Sequence, residues 1–326
     1  MKLADFARQW LTDYCEVKLA PMTLRNYKRC IEKRIIPSIG NVDIKDLSPF
    51  HVVSFINGLL SQSSRLDGRD KELTGQGAAY CFRVLSSMLN TAVKWQFISN
   101  NPCKNVDSPK IKKPKTKALT ARETSLMLKA VDAEEIKYKM IIYLAVTTGL
   151  RLGELLGLVW NDIDLDEGIL QVNRSCQSVK GRGVFTKEPK NETSIRCVTL
   201  PRTIIEMLME YHIWQENEKK QLLNLWKGDQ WLFTTWEGKL LNPSTVSHWF
   251  QNFLKKYQLA HIPFHGLRHT SATLLINEGA SLKNISSRLG HADIRTTGNI
   301  YAHALQSVDK SLAASMDAFL NKNSNG

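Results

Sequence analysis

The chain has 326 residues, 43% of them apolar, and a formal net charge of +13. That length suggests about two domains, and the apolar share is enough for ordinary cores. No run approaches the roughly 20 unbroken apolar residues of a membrane span, and the amphipathic start MKLADFARQWLTDYCEV lacks a signal peptide's apolar centre, so the sequence predicts a cytoplasmic protein without a membrane role.

Four helical patterns open the chain, near residues 2–17, 22–36, 48–62 and 74–97. The second starts around Thr23. Ser48 and Pro49 supply an N-cap and a first-turn proline for the third. A polar loop, SRLDGRDKELTG, leads into the fourth. No strand pattern interrupts them, so residues 1–107 are predicted to form a small all-helical domain.

Residues 108–119, SPKIKKPKTKAL, hold five lysines, two prolines and no acid. This stretch has no helical period and reads as an extended basic linker. Lysines along such a path can neutralise phosphates of a nucleic acid; a solvated tether is the plainer alternative. The overall positive charge favours the first reading, because it calls for a polyanionic partner.

Residues 120–326 are expected to form the second domain. Thr120-Ala-Arg-Glu123 is a capping box. The next helix, near 135–148, ends at Thr-Gly. The segments WNDIDLDEGILQVNRSCQ and GVFTKEPKNETSIRCVTLP carry alternating β-branched residues and predict one three-stranded antiparallel sheet. Helices follow near 201–226, 243–257, 266–278, 282–289, 293–302 and 305–320. The fold class is therefore mainly α: a helical N-terminal domain and a mostly helical second domain with a small antiparallel sheet. Six cysteines (Cys15, Cys30, Cys81, Cys103, Cys176 and Cys197) show no C-x-x-C spacing and read as buried, reduced thiols.

Four short segments of the second domain carry chemistry. They are TTGLRLGELLGL with Arg151 and Glu154, TKEPKNETSIR with Lys187 and Lys190, HGLRHT with His265, Arg268 and His269, and LGHADIRTTGNIYAH with His291 and Tyr301. Each alone admits a plain reading. Arg151 could be a surface charge, His265 and Arg268 could pair with acids or cap a helix, Tyr301 could pack in a core, and His291 could cap the helix before it.

Together they suit attack on a phosphodiester without a metal. Two guanidiniums can grip the nonbridging oxygens, where negative charge builds in the transition state. A tyrosine hydroxyl can attack and form a covalent phosphotyrosine. Its ordinary pKa of about 10 demands a base or a positive field, and histidine suits that proton transfer. A lysine ammonium can protonate the leaving 5′ oxygen. A metal-dependent nuclease would need clustered carboxylates instead. Asp162, Asp164, Asp166 and Glu167 come nearest to that, and their position between a helix and a strand reads as a solvated turn.

The order Arg, hairpin Lys, His-x-x-Arg, His, Tyr resembles the tyrosine recombinase family, in particular lambda-type phage integrases and integrases of conjugative transposons. TGLRLGEL, PKNETSIR, HGLRHT, LGHADIRTT and NIYAH carry the likeness, and residues 1–107 look like the family's helical core-binding domain. The resemblance implies that Arg151 and Arg268 clamp the scissile phosphate. It implies that Lys190 protonates the 5′ oxygen, His265 assists proton transfer at Tyr301, and His291 hydrogen-bonds the phosphate. Tyr301 becomes the nucleophile of a 3′-phosphotyrosine intermediate, and Glu154 orients an arginine. No cofactor, metal or ATP is implied.

The same likeness implies a clamp around double-stranded DNA and a homotetramer holding two DNA sites, with accessory DNA-bending proteins of host or element as compatible partners. Residues 304–321, with an apolar stripe of Leu305, Val308, Leu312, Met316 and Phe319, are the expected segment that packs on a neighbouring protomer. In the first domain, Thr23, Arg25, Lys28 and Arg29 on the second helix are candidate DNA contacts. Gln76, Arg83, Ser87 and Asn90 on the fourth are others. Lambda-type integrases often carry an arm-site domain ahead of the core-binding helices; here Met1 lies almost at those helices, which leaves arm-site binding open.

The expected function is site-specific recombination, for integration or excision of a mobile element. A type IB topoisomerase-like enzyme would share the phosphotyrosine chemistry without exchanging partners. A DNA-binding regulator with a decayed site is the alternative of another class.

Overall fold

The computed structural model describes residues 1–61, 73–111, 117–188, 195–228, 230–290, 293–295 and 297–298. The chain divides into two compact units, Met1–Pro114 and Lys115–Gly326.

In the first unit, α1 (Leu3–Trp10) continues through a π-helical turn (Leu11–Cys15) into a last turn at Glu16–Lys18. Helix α2 (Pro21–Cys30) likewise passes through a π turn (Ile31–Ile35) to Ile36–Ile39. It begins with proline at its first turn, where a missing N–H costs nothing. Helix α3 (Pro49–Ser61) also begins at proline, and the Ser48 backbone N–H donates to His51 Nδ1 at 3.2 Å. Thr74 caps α4 (Gly75–Lys94) by accepting from the Gly77 amide. The apolar faces of these four helices meet in one core built on Phe6, Trp10, Ile31, Ile35, Phe55, Leu85 and Met88. Burial of those faces, rather than helix propensity, holds such short helices in place.

In the second unit, Thr120 and Glu123 close the predicted capping box at the start of α5 (Ala121–Val131). Helix α6 (Ile136–Thr148) is apolar on nearly all sides, which marks it as the buried centre of the unit. It stops at Gly149, whose φ of +66° and whose approach to Leu289 both exclude a side chain: a Cβ there would fall 2.5 Å from Leu289 Cδ2. A short helix not foreseen in the sequence, α7 (Leu152–Leu156), follows.

The expected three-stranded antiparallel sheet is present, and among the described residues a second, two-stranded antiparallel sheet stands beside it that the sequence pattern does not separate. Strands β1 (Ile163–Asp164), β2 (Ile169–Val172) and β5 (Arg196–Thr199) make the larger sheet in the order β1-β2-β5, with Ile169 opposite Thr199. Strands β3 (Ser175–Val179) and β4 (Gly183–Lys187) form a separate hairpin, with Ser175 opposite Lys187. The split falls at Asn173 and Arg174, which turn inward to Asp162. Asp162 itself corrects an expectation. It is not a solvated turn residue but is buried, paired with Arg174 and accepting from the Val159 amide. Asp164 does cap a turn, accepting from the amides of Asp166 and Glu167.

Helices α8 (Arg202–Leu222), α9 (Pro243–Lys256), α10 (His265–Asn277) and α11 (Leu282–Leu289) complete the described unit. Tyr211, Phe250, Phe253 and Leu267 pack with α6 in its main core. Ala272, Ile276, Ile285 and Leu289 lock α10 to α11 in a smaller one. Five cysteines are buried free thiols, whereas Cys197 is exposed, because it faces outward from β5. Among the described residues no helix is long and apolar enough to cross a membrane. Residues 112–116 of the predicted linker, half of the predicted helix at 293–302 and all of that at 305–320 lie outside the described residues.

Candidate active site

Arg151 occupies the N-cap of α7 in an extended conformation, directly after the Gly149-Leu150 turn. Its backbone N–H donates to Glu154 Oε2 at 2.9 Å, and its Nη1 donates to Glu154 Oε1 at 2.6 Å. Glu154 is therefore both the cap of the helix and the ion-pair partner of the arginine that precedes it. The Arg151 side chain keeps 41% of its surface while Glu154 keeps 8%, so the cation, not the acid, faces solvent.

Arg268 arrives from α10, one helical turn after His265. It is almost wholly buried, with Nη1 donating to the Gly149 carbonyl at 2.9 Å and Nη2 to the Leu289 carbonyl at 2.7 Å. One guanidinium thus spans the C-termini of α6 and α11, where carbonyls lack helical partners and the helix dipole favours a cation. Arg268 thus caps the ends of two helices other than its own.

His265 is the first residue of α10 and remains exposed. Its pKa is nonetheless held below the ordinary 6.5, first by the crowding of protein around the ring and then by the charges of Arg268 and Arg151, with Glu154 opposing. Arg151, Glu154, His265 and Arg268 therefore belong to one electrostatic neighbourhood. His269, buried, packs edge-on to His265 with ring centroids 4.9 Å apart.

Sequence reasoning passed over two arginines. Arg196 at the start of β5 donates Nη2 to Glu154 Oε2 at 2.9 Å and Nε to the Arg288 carbonyl at 2.7 Å. Arg288 on α11 donates Nη2 to the carbonyls of Thr147 and Thr199. Burial, followed by the charge of Arg196, lowers the pKa of Arg288. Glycine at position 290 makes room for this pair: it has φ +67°, and a Cβ there would fall 2.9 Å from Arg196 Nη1. The sequence does offer a weak signal, an arginine closing the PKNETSIR segment, but nothing local says that it points inward.

Lys190, His291 and Tyr301 lie outside the described residues. Lys187 ends β4. Among the described residues no group of three or more His, Cys, Asp and Glu is arranged to hold a metal ion.

In the first unit, Arg25, Lys28 and Arg29 are exposed on α2, and Thr23 is half-buried. On α4, Gln76, Arg83 and Asn90 are exposed and Ser87 is half-buried. Tyr27 of α2 and Tyr80 of α4 meet edge-on at 6.4 Å, so these two faces are neighbours. Arg83 lies over the Tyr80 ring, and Asn90 accepts from Asn101.

The phage integrase family model matches residues 117–307, more than half of the chain. The model of the phage integrase N-terminal SAM-like domain matches residues 2–60. The ICEBs1 integrase of Bacillus subtilis (strain 168) is 27% identical over 306 residues, covering 94% of this chain and 80% of that protein. A tyrosine recombinase XerC-like protein of Caldanaerobacter subterraneus is 29% identical over 327 residues, covering 93% and 79%. Among solved structures, the Tn1549 transposon integrase in complex with transposon right end DNA aligns with a TM-score of 0.77 at 19% identity, over 96% of this chain and 100% of that one. A lambda integrase dimer bound to a COC′ core site aligns at 0.66 with 22% identity, over 92% and 95%. At such identities these two likenesses are of fold. The chain belongs to the phage integrase family, and its activity is that of a tyrosine-type site-specific recombinase.

Proposed function

We propose that this chain cuts and rejoins double-stranded DNA through a 3′-phosphate ester on Tyr301, to integrate or excise a mobile element. The observation that carries the reading is the convergence of Arg151, His265 and Arg268, from distant segments, on one site rich in positive charge. Such a site fits a reaction whose transition state adds negative charge to a phosphate.

In this reading the exposed guanidinium of Arg151 meets the nonbridging oxygens, and Arg268, fixed by the Gly149 and Leu289 carbonyls, supplies the second positive charge. His265 is neutral near neutral pH because its pKa is depressed, and it accepts the Tyr301 hydroxyl proton. The tyrosine oxygen bonds to phosphorus as the bond from phosphorus to the 5′ oxygen breaks. Lys190 gives that oxygen its proton, and His291 hydrogen-bonds the phosphate. Rejoining is the reverse attack by a 5′ hydroxyl. One phosphate ester is exchanged for another at each step, so the chemistry requires neither ATP nor a metal.

The exposed cations Arg25, Lys28, Arg29 and Arg83 suit contact with DNA phosphates, with Thr23, Gln76, Ser87 and Asn90 beside them. Two duplexes must be held for partner exchange, which calls for four copies of the chain, and DNA-bending accessory proteins would assist. We place this activity in the cytoplasm with its substrate. The test is a two-site recombination assay run beside relaxation of a supercoiled plasmid without sites. Recombinant products that depend on paired sites support the reading. Relaxation of any supercoiled DNA, with no recombinants, would replace it with topoisomerase-like action.

A further inference from the structure

We infer that Arg196 is a positioning residue for strand cleavage, holding Glu154 on one side and the Arg288 carbonyl on the other so that Arg151 keeps its place at the phosphate. The inference rests on the reading of Arg151 as a phosphate ligand.

The argument begins with a shared carboxylate. Glu154 Oε1 takes Nη1 of Arg151, while Oε2 takes both the Arg151 amide and Nη2 of Arg196. Arg196 is 7% exposed and Glu154 8%, so this pair is desolvated, whereas the Arg151 side chain reaches solvent. A buried carboxylate needs compensation. Here the buried arginine provides it, which allows the exposed one to engage another anion. Without Arg196, the acid would draw more heavily on Arg151, in competition with the DNA phosphate.

The second hand of Arg196 reaches α11. Its Nε holds the Arg288 carbonyl at 2.7 Å, at the helix end that leads into Gly290 and, three residues after Arg288, His291. Only a planar fork serves both acceptors at once, since an ammonium is a single point on a flexible stem. Gly290 is kept free of a side chain where the guanidinium lies. Arg196 thus ties the segment bearing Arg151 to the segment bearing His291 from a strand that carries neither.

The charged groups that act on Glu154 are Arg196 from β5 and Arg151 from the cap of α7; His265, at the start of α10, feels the charge of Glu154 together with those of Arg268 and Arg151. Burial by itself would raise the Glu154 pKa, but the hydrogen bond and charge of Arg196, followed by those of Arg151, outweigh it and keep the carboxyl below its ordinary 4.5. Removing Arg196 must therefore raise the pH at which Glu154 protonates and lets go of Arg151.

The test compares wild type, Arg196→Gln and Arg196→Lys for covalent adduct formation on nicked suicide DNA across acidic to neutral pH, with DNA affinity measured separately. Arg196→Gln should form adduct at least about tenfold more slowly at neutral pH, with affinity for DNA little changed. Arg196→Lys keeps the charge but not the fork, so its rate should fall as well although Glu154 stays ionised. A rate equal to that of wild type in Arg196→Gln, or a rate loss explained by weaker DNA binding, overturns the inference. Titration of the Glu154 carboxyl by carbon NMR in DNA-free protein gives a second readout. It should move up in Arg196→Gln and stay low in Arg196→Lys; equal titration in all three overturns the inference. Because that measurement involves no cleavage, it decides the role of Arg196 even if wild type forms no adduct, a result that would defeat the recombinase reading instead.

Discussion

Arg268 donates Nη1 to the carbonyl of Gly149 at 2.9 Å, across 119 residues of sequence. The bond joins the helix that presents His265 to the turn that presents Arg151. Gly149 is left-handed there, so its carbonyl is turned out of α6 and toward the guanidinium. The two arginines proposed to share one phosphate are therefore built on a common backbone turn.

Arg268→Ala should damage both stability and chemistry. The carbonyls of Gly149 and Leu289 would lose charged donors in a buried site, at a cost of about 2–4 kcal/mol. Urea unfolding checks this. A variant that is as stable as wild type would mean that those carbonyls find water or other partners.

The pH dependence of His265 has a definite sign. Its folded pKa is lower than 6.5, so the neutral ring is favoured in the folded protein, and the stability linked to it is present above 6.5 and lost as pH falls through the folded value. Proton NMR of the imidazole should show His265 titrating below 6.5 in the free protein. Arg151→Met removes one of the cations that depress it, so the pKa should rise while remaining sensitive to burial and to Arg268. An upward shift is expected; no shift on loss of Arg151 would separate the two residues electrostatically and weaken the shared-site account.

Much of this arrangement is legible in the sequence. The capping box of Thr120 and Glu123, the Thr-Gly stop of α6 and the spacing of His265 and Arg268 are local signals, and each marks its element directly. The three-stranded sheet is expected, but its membership and the separate β3-β4 hairpin are not legible because pairing is not local. Strands β2 and β5 meet across the whole β3-β4 hairpin, and short strands with similar alternation do not announce their partners. Asp162 was misread for a related reason: its partner Arg174 lies beyond the intervening β1-β2 turn, and its burial depends on tertiary packing. Arg196 and Arg288 share that difficulty. A single arginine in an apolar pattern looks like a surface charge until the fold brings Glu154 to it.

Two lysines compete for the role of general acid. Lys187 closes β4 opposite Ser175, within the regular hairpin, whereas Lys190 follows Pro189 in the segment that resembles the family motif. A 5′ oxygen is a poor leaving group without a proton, whereas a 5′ sulfur leaves readily. Lys190→Ala should be slow on ordinary DNA, by about a hundredfold or more, and largely rescued on a 5′-bridging phosphorothiolate substrate. Lys187→Ala should show a smaller defect without selective rescue. Rescue of the Lys187 variant alone would reverse the two roles.

The most direct measurement concerns Tyr301. Wild type and Tyr301→Phe are incubated with nicked suicide DNA carrying the recombination site, denatured, and resolved on a gel, and the adduct is digested and mapped by mass spectrometry. Replacing the attacking oxygen with hydrogen leaves the ring and most packing intact, so the variant should bind DNA as wild type does. The account predicts a denaturation-resistant adduct in wild type alone, with the nucleotide on the peptide that contains Tyr301. An adduct of equal yield from Tyr301→Phe, or a nucleotide mapped to any other residue, would contradict it.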